Sequence, residues 1–259
     1  MVGELQQIGD MTVPNLELKA PNRSGRVTII VNAKVKQEGR FIATSPVTER
    51  MVAALKAAII DHAPDTIIET LAVASLWSEE ARQQTALAGR IYCPLTIQLP
   101  PWFAFPQQAV YSACEAVHNC RQWVAQVLGR ATLEHPQGLG DCWLPIIWTP
   151  HGPFFAEVIT EGAIPNAYQQ PFCLPSPLYQ NAQTLASALL EHLQAPPAVY
   201  LLQFALAHQD ILFDRLWPFP AAPAIASLHS PHSNLFTYHW YCLTGQPVTM
   251  FSALQSANK

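Results

Sequence analysis

Hydrophobic and polar positions alternate most cleanly in RVTIIVNAKVKQEGRFIATS, residues 26–45. Val27, Ile29, Val31, Ala33 and Val35 share one face, while Thr28, Asn32, Lys34 and Lys36 dominate the other, with Ile30 the exception. A period of two predicts a strand with one wet side, and QEG predicts a turn into a partner strand, Arg40 to Thr44. CWLPIIWTPHGPFFAEVIT repeats the plan with a turn at Pro150–Pro153, and AVYLLQFALAHQDILFDRLW repeats it with a turn near Ala207–Asp210. NLFTYHWYCLTG predicts a last strand, and IYCPLTIQL another that Pro94 confines to an edge or a bulge.

Helical spacing fills the gaps. Ser45–Pro46 opens a helix to about His62, with Val47, Met51, Ala54, Leu55 and Ala58 on one stripe. Ser176–Pro177 opens a second to about Leu193, with Leu185, Ala186, Leu189, Leu190 and Leu193 facing inward. SEEARQQTALAG predicts a third helix, from Ser78 to Gly89, and PQQAVYSACEAVHNCRQWVAQVLG a fourth and longest one. TIIETLAVASLW fits helix and strand equally well by periodicity.

The order lacks regular βαβ alternation and contains neither G-x-G-x-x-G nor G-x-x-x-x-G-K. The expectation is therefore an α+β fold: a mainly antiparallel sheet of three β-hairpins plus extra strands, covered by about four helices. Residues 1–22 read as an N-terminal arm, and residues 23–259 as a single domain, with a lobe boundary, if there is one, near 161–177.

Composition narrows the function classes. Half of the 259 residues are hydrophobic but only 12% are charged, about half the usual ~25%. Disorder is excluded, and some apolar surface is expected to stay uncovered, as at partner or ligand sites. A net charge of −4 without a basic run excludes nucleic acid as the expected partner. No apolar stretch approaches the ~20 residues of a spanning helix, and MVGELQQIGD lacks the features of a secretion signal. A cytoplasmic protein is expected, with peripheral attachment to a membrane complex left open. The six cysteines form no C-x-x-C pair, which predicts free buried thiols and no structural zinc. No cofactor signature is present, and none is expected.

Three groups of residues could carry chemistry. On the long helix, Cys114 and His118 lie one turn apart beside Arg121, an arrangement that could lower a thiol pKa; a small core cysteine beside a half-exposed histidine is the plainer reading. Glu157 and Asp214 each share a strand face with apolar neighbours, Phe155 and Ile159 for one, Leu212 and Leu216 for the other. If they met across the sheet, one would have a raised pKa and could act as acid or base, with Arg215 and His239 nearby. Structural ion pairs are the plainer reading here too.

The third group is aromatic. LPPWFAFP and WPFPAAP alternate prolines with large rings directly after a strand. Trp102, Phe103, Phe105, Trp217 and Phe219 are thus candidate anchors for a protein partner or a second copy of the chain. The leading expectation is a non-catalytic accessory or assembly protein that binds its partner through these segments. Its alternative is an enzyme or small-molecule binder with a polar pocket on the sheet, using Glu157, Asp214, Arg215 and His239. A thiol enzyme centred on Cys114 comes third.

Overall fold

The computed structural model describes residues 25–35, 41–78, 89–134, 139–207, 210–229 and 234–248. The N-terminal arm, the body of the helix expected over Ser78–Gly89, and the QEG turn lie outside the described residues.

β1 (Arg26–Val31) does not turn back on itself as a hairpin. It is the middle strand of a parallel sheet, between β4 (Ile67–Ala72) and β5 (Arg90–Pro94). Its expected wet face is covered: Thr28 and Ile30 are as buried as Val27 and Ile29. That is the usual fate of a central parallel strand, and Ile30 was its only sign in the sequence. Among the described residues, antiparallel pairing at this end is confined to a short ribbon of β2 (Lys34–Val35) and β3 (Phe41–Ala43). The chain then crosses over through α1 (Pro46–His62), where the Ser45 hydroxyl accepts the Thr48 N–H at 3.1 Å. The ambiguous TIIETLA stretch forms β4, followed by a 3-10 turn, Val73–Trp77.

The second sheet is antiparallel, with strands β6 (Cys142–Thr149), β7 (Gly152–Phe155), β8 (Val158–Glu161), β9 (Tyr168–Phe172), β10 (Ala198–Ala207) and β11 (Asp210–Trp217). Its order is β11-β10-β6-β8-β9, with β7 also pairing with β6. Gly152 turns the β6–β7 hairpin at φ +115°, a value that side chains disfavour. Within the stretch 161–177, Tyr168–Phe172 enters this sheet as β9, paired with β8.

Helices α2 (Gln108–Glu115) and α3 (Val117–Val127) replace the single long helix, with a break at Ala116. α4 (Ser176–His192) buries Leu185, Ala186, Leu189 and Leu190. The last expected strand is instead α5 (Leu235–Thr244). Asn234 caps it by accepting the N–H groups of Phe236 and Thr237, and Gly245 ends it in the left-handed conformation. Leu235 through Trp240 are all buried, so the segment has no polar face to show a helical period. α5 packs on β10, β6 and α1, joining the two sheets through one core.

Candidate functional site

The most structured polar cluster lies where β10 and β11 lose register. Gln203 pairs with Arg215 and the next residue, Phe204, with Phe213, so Asp214 is an extra residue in a β-bulge. A bulge re-aims side chains that strict alternation would send to opposite faces. Arg215 donates from Nε to Asp214 Oδ1 at 3.2 Å although the two are adjacent in sequence. The freed Asp214 carbonyl accepts Arg121 Nε at 2.8 Å, and Arg121 Nη2 donates to Asp214 Oδ1 in a tight ion pair. Arg121 comes from α3, which packs directly on β11. The remaining carboxylate oxygen, Oδ2, accepts the Gly140 N–H at 2.8 Å.

A second set of bonds shares this hub. Gln203 Nε2 donates to the Gly140 carbonyl at 2.6 Å, and Gln203 Oε1 accepts from Trp217 Nε1 at 2.8 Å. Gly140 can have no side chain, since a Cβ would stand 2.5 Å from the Phe204 carbonyl carbon. The Arg215 guanidinium lies 5.7 Å from the centroid of the Trp217 ring. Trp217 is fixed in turn by a chain of rings: Phe219 at 5.9 Å, then Tyr111, Phe105, Phe103 and Tyr92 at successive spacings of 5.8, 5.2, 5.3 and 5.0 Å.

The charge balance is one carboxylate against two guanidinium groups. Asp214 is fully buried, while the Arg121 and Arg215 side chains are 16% and 26% exposed. Among the described residues Arg215 bonds only through Nε, which leaves both its terminal nitrogens available to a ligand on the accessible side. The arrangement can hold an anion rigidly.

The expected site residues separate. Asp214 and Arg215 meet. Glu157 is exposed on the β7–β8 connection, where its carbonyl accepts from Gln170; Asp214 bonds to Arg121, Arg215 and Gly140 instead. His239 is sealed on α5, its Nδ1 accepting the Val199 N–H at 3.2 Å, and burial pushes its pKa down to about 3. Cys114 is buried and its thiol pKa is pushed well above the ordinary value by that burial, so it is no activated nucleophile. His118, exposed, begins a different helix. Sequence reasoning missed Gln203, Gly140 and the pairing role of Arg121; its placement on the buried stripe of a helix was the available signal.

The aromatic anchors form core rather than a docking surface. Phe103, Phe105 and Phe219 are buried, and Trp102 and Trp217 are half-buried against them. The slot beside Phe103, Phe105 and Tyr111 has about 10 Å³ of internal space, enough for one water. Among the described residues no group of three His, Cys, Asp or Glu side chains is placed to hold a metal ion, and no helix is long and apolar enough to cross a membrane.

No family model and no curated protein matches the sequence. Solved structures do resemble the fold. An ADP complex of an N5-carboxyaminoimidazole ribonucleotide synthetase is 12% identical, with a TM-score of 0.62 over 87% of this chain and 78% of that one. An ATP complex of carboxyaminoimidazole ribonucleotide synthase from Aspergillus clavatus is 9% identical, with a TM-score of 0.63 over 87% and 78%. Glycinamide-RNase-transformylase T from Mycobacterium tuberculosis is 13% identical, with a TM-score of 0.56 over 86% and 80%. The expectation of a non-catalytic, protein-binding accessory factor is thereby corrected: Phe103, Phe105 and Phe219 are buried with Trp102 and Trp217 packed against them, and the fold resembles that of solved ribonucleotide synthetases.

Proposed function

We propose that this chain binds an adenine nucleotide on the β10–β11 face, with Arg215 and Trp217 as its contacts and Gln203, Asp214 and Arg121 as their support. The observation that carries this reading is the fold resemblance, which spans 86–87% of the chain and includes ADP and ATP complexes. The site geometry supports it: the face offers a guanidinium with two unused nitrogens beside an indole ring. Guanidinium forks match phosphate oxygens, and an indole face accepts a flat heterocycle. This is the small-molecule alternative read from the sequence, with Glu157 and His239 left out of the contact set. A cytoplasmic setting belongs to the same proposal.

Isothermal titration of the full chain with ATP, ADP, AMP and GDP tests it. Saturable binding of ADP or ATP, weakened in a Trp217→Ala variant that keeps its fold, is expected. Absence of saturable binding by every adenine nucleotide would remove the reading.

A further inference from the structure

Chemistry on ATP ordinarily uses Mg²⁺ to bridge the phosphates, held by one or two protein carboxylates with open lone pairs. The residues of this site do not fit such an ion. Among the described residues Asp214 is the one carboxylate bonded within the cluster, it is fully buried, and both its oxygens are already taken. Two guanidinium groups stand against it, so a dication entering here would meet a net positive centre. Gln203, the register partner of Arg215, is neutral, and its amide is committed at both ends.

The same bonds that exclude a cation prepare an anion site. Arg215 is held at Nε by Asp214 and lies beside Trp217, which leaves its terminal fork oriented and unspent. A fork fixed in advance loses little rotamer freedom when an anion docks. We infer that this site takes a phosphate or pyrophosphate group on Arg215 directly, without a divalent cation. The inference rests on the nucleotide reading only for the nucleoside part of the ligand; the anion preference follows from the charges alone.

The experiment titrates the full chain with pyrophosphate and with ADP, each in excess EDTA and in excess Mg²⁺, and separately with Mn²⁺ followed by electron paramagnetic resonance. Pyrophosphate is expected to bind in EDTA no more weakly than in Mg²⁺. Arg215→Ala should weaken it by about tenfold or more, and Arg215→Lys by less, since a point charge keeps the attraction but loses the fork. Thermal melts of both variants confirm that each is folded, and the wild-type comparison needs no variant.

Pyrophosphate binding only with Mg²⁺, binding unchanged in a folded Arg215→Ala chain, or no pyrophosphate binding in either buffer would overturn the inference. So would a stoichiometric Mn²⁺ site lost in Asp214→Asn. Metal-free pyrophosphate binding with ADP no tighter would leave the inference standing and defeat the nucleotide reading; ADP binding that demands Mg²⁺ would do the reverse.

Discussion

Replacing Asp214 by Ala separates a structural hub from a functional carboxylate. In the native chain this buried group pairs with both Arg121 and Arg215 and accepts the Gly140 N–H. Its removal leaves two part-buried cations without a counter-charge and one buried N–H without an acceptor. Breaking a buried ion pair from one side costs about 3–5 kcal/mol. At roughly 2 °C per kcal/mol for a chain this long, the melting temperature should fall by about 6–10 °C. Asp214→Asn should cost less, because an amide oxygen still accepts one of the three donors.

Urea unfolding followed by tryptophan fluorescence measures the loss as a shift in midpoint at constant slope. The triple substitution Asp214→Leu, Arg121→Met, Arg215→Met should recover much of the deficit, because it removes the orphaned charges along with their partner. A carboxylate kept for ligand or metal binding would behave in the opposite way, being neutral or even stabilising to lose. If Asp214→Ala unfolds within about 1 kcal/mol of the native chain, well below the expected range, the account of the cluster as a charge-paired structural hub is refuted.

Other positions make further demands. Gly140→Ala should destabilise by about 3 kcal/mol or prevent folding, because its Cβ would meet Phe204 backbone, which cannot rotate away; soluble yield and a thermal melt check it. His239 has its pKa lowered from 6.5 to about 3, so the unfolded chain binds more protons between those values and stability must fall as pH drops from 6.5 towards 3. The loss between pH 6.5 and 5 should be roughly 2 kcal/mol by urea unfolding, and His239→Gln should flatten that slope. Cys173 is exposed and the other five cysteines are buried, so Ellman's reagent should titrate one thiol in the native chain and six in denaturant.

Elements with one strong local cue were legible in the sequence. The Ser45–Pro46 start marks α1 because the cap and the proline act within one turn. Pro150 and Gly152 mark the β6–β7 turn because φ is set locally. What failed depended on distant chain. β1 reads as half-wet, yet β4 and β5 flank it and both its faces are covered. α5 reads as a strand because burial on every side erases the helical period, although Asn234 and Gly245 bracket it in the sequence as a cap and a stop. At the site, Asp214 and Arg215 were singled out, but alternation sent them to opposite faces, and only the bulge brings them together. A bulge of this kind is a property of two strands, and a single strand carries no trace of it.

The scarcity of charge misled for a related reason. Few ionic side chains need not leave a greasy corner for a partner; they also permit a large interior, and the rings here fill it. The exposed large hydrophobic residues among the described ones, such as Ile60, Ile67, Trp77 and Leu206, are scattered over α1, β4, a 3-10 turn and β10, as single exposures commonly are. The two proline–aromatic segments are counterparts in a different sense: they meet, through Tyr111 stacked on Phe219. The ring chain therefore runs from Tyr92 on the parallel sheet to Trp217 on the antiparallel one, and ends at the Arg215 guanidinium. Buried aromatic packing does what a flexible rim could not, since it holds the indole beside Arg215 and Gln203 in one orientation. The stiffness first read as preparation for a protein partner belongs instead to the support of a small polar site, where ordering in advance is worth most.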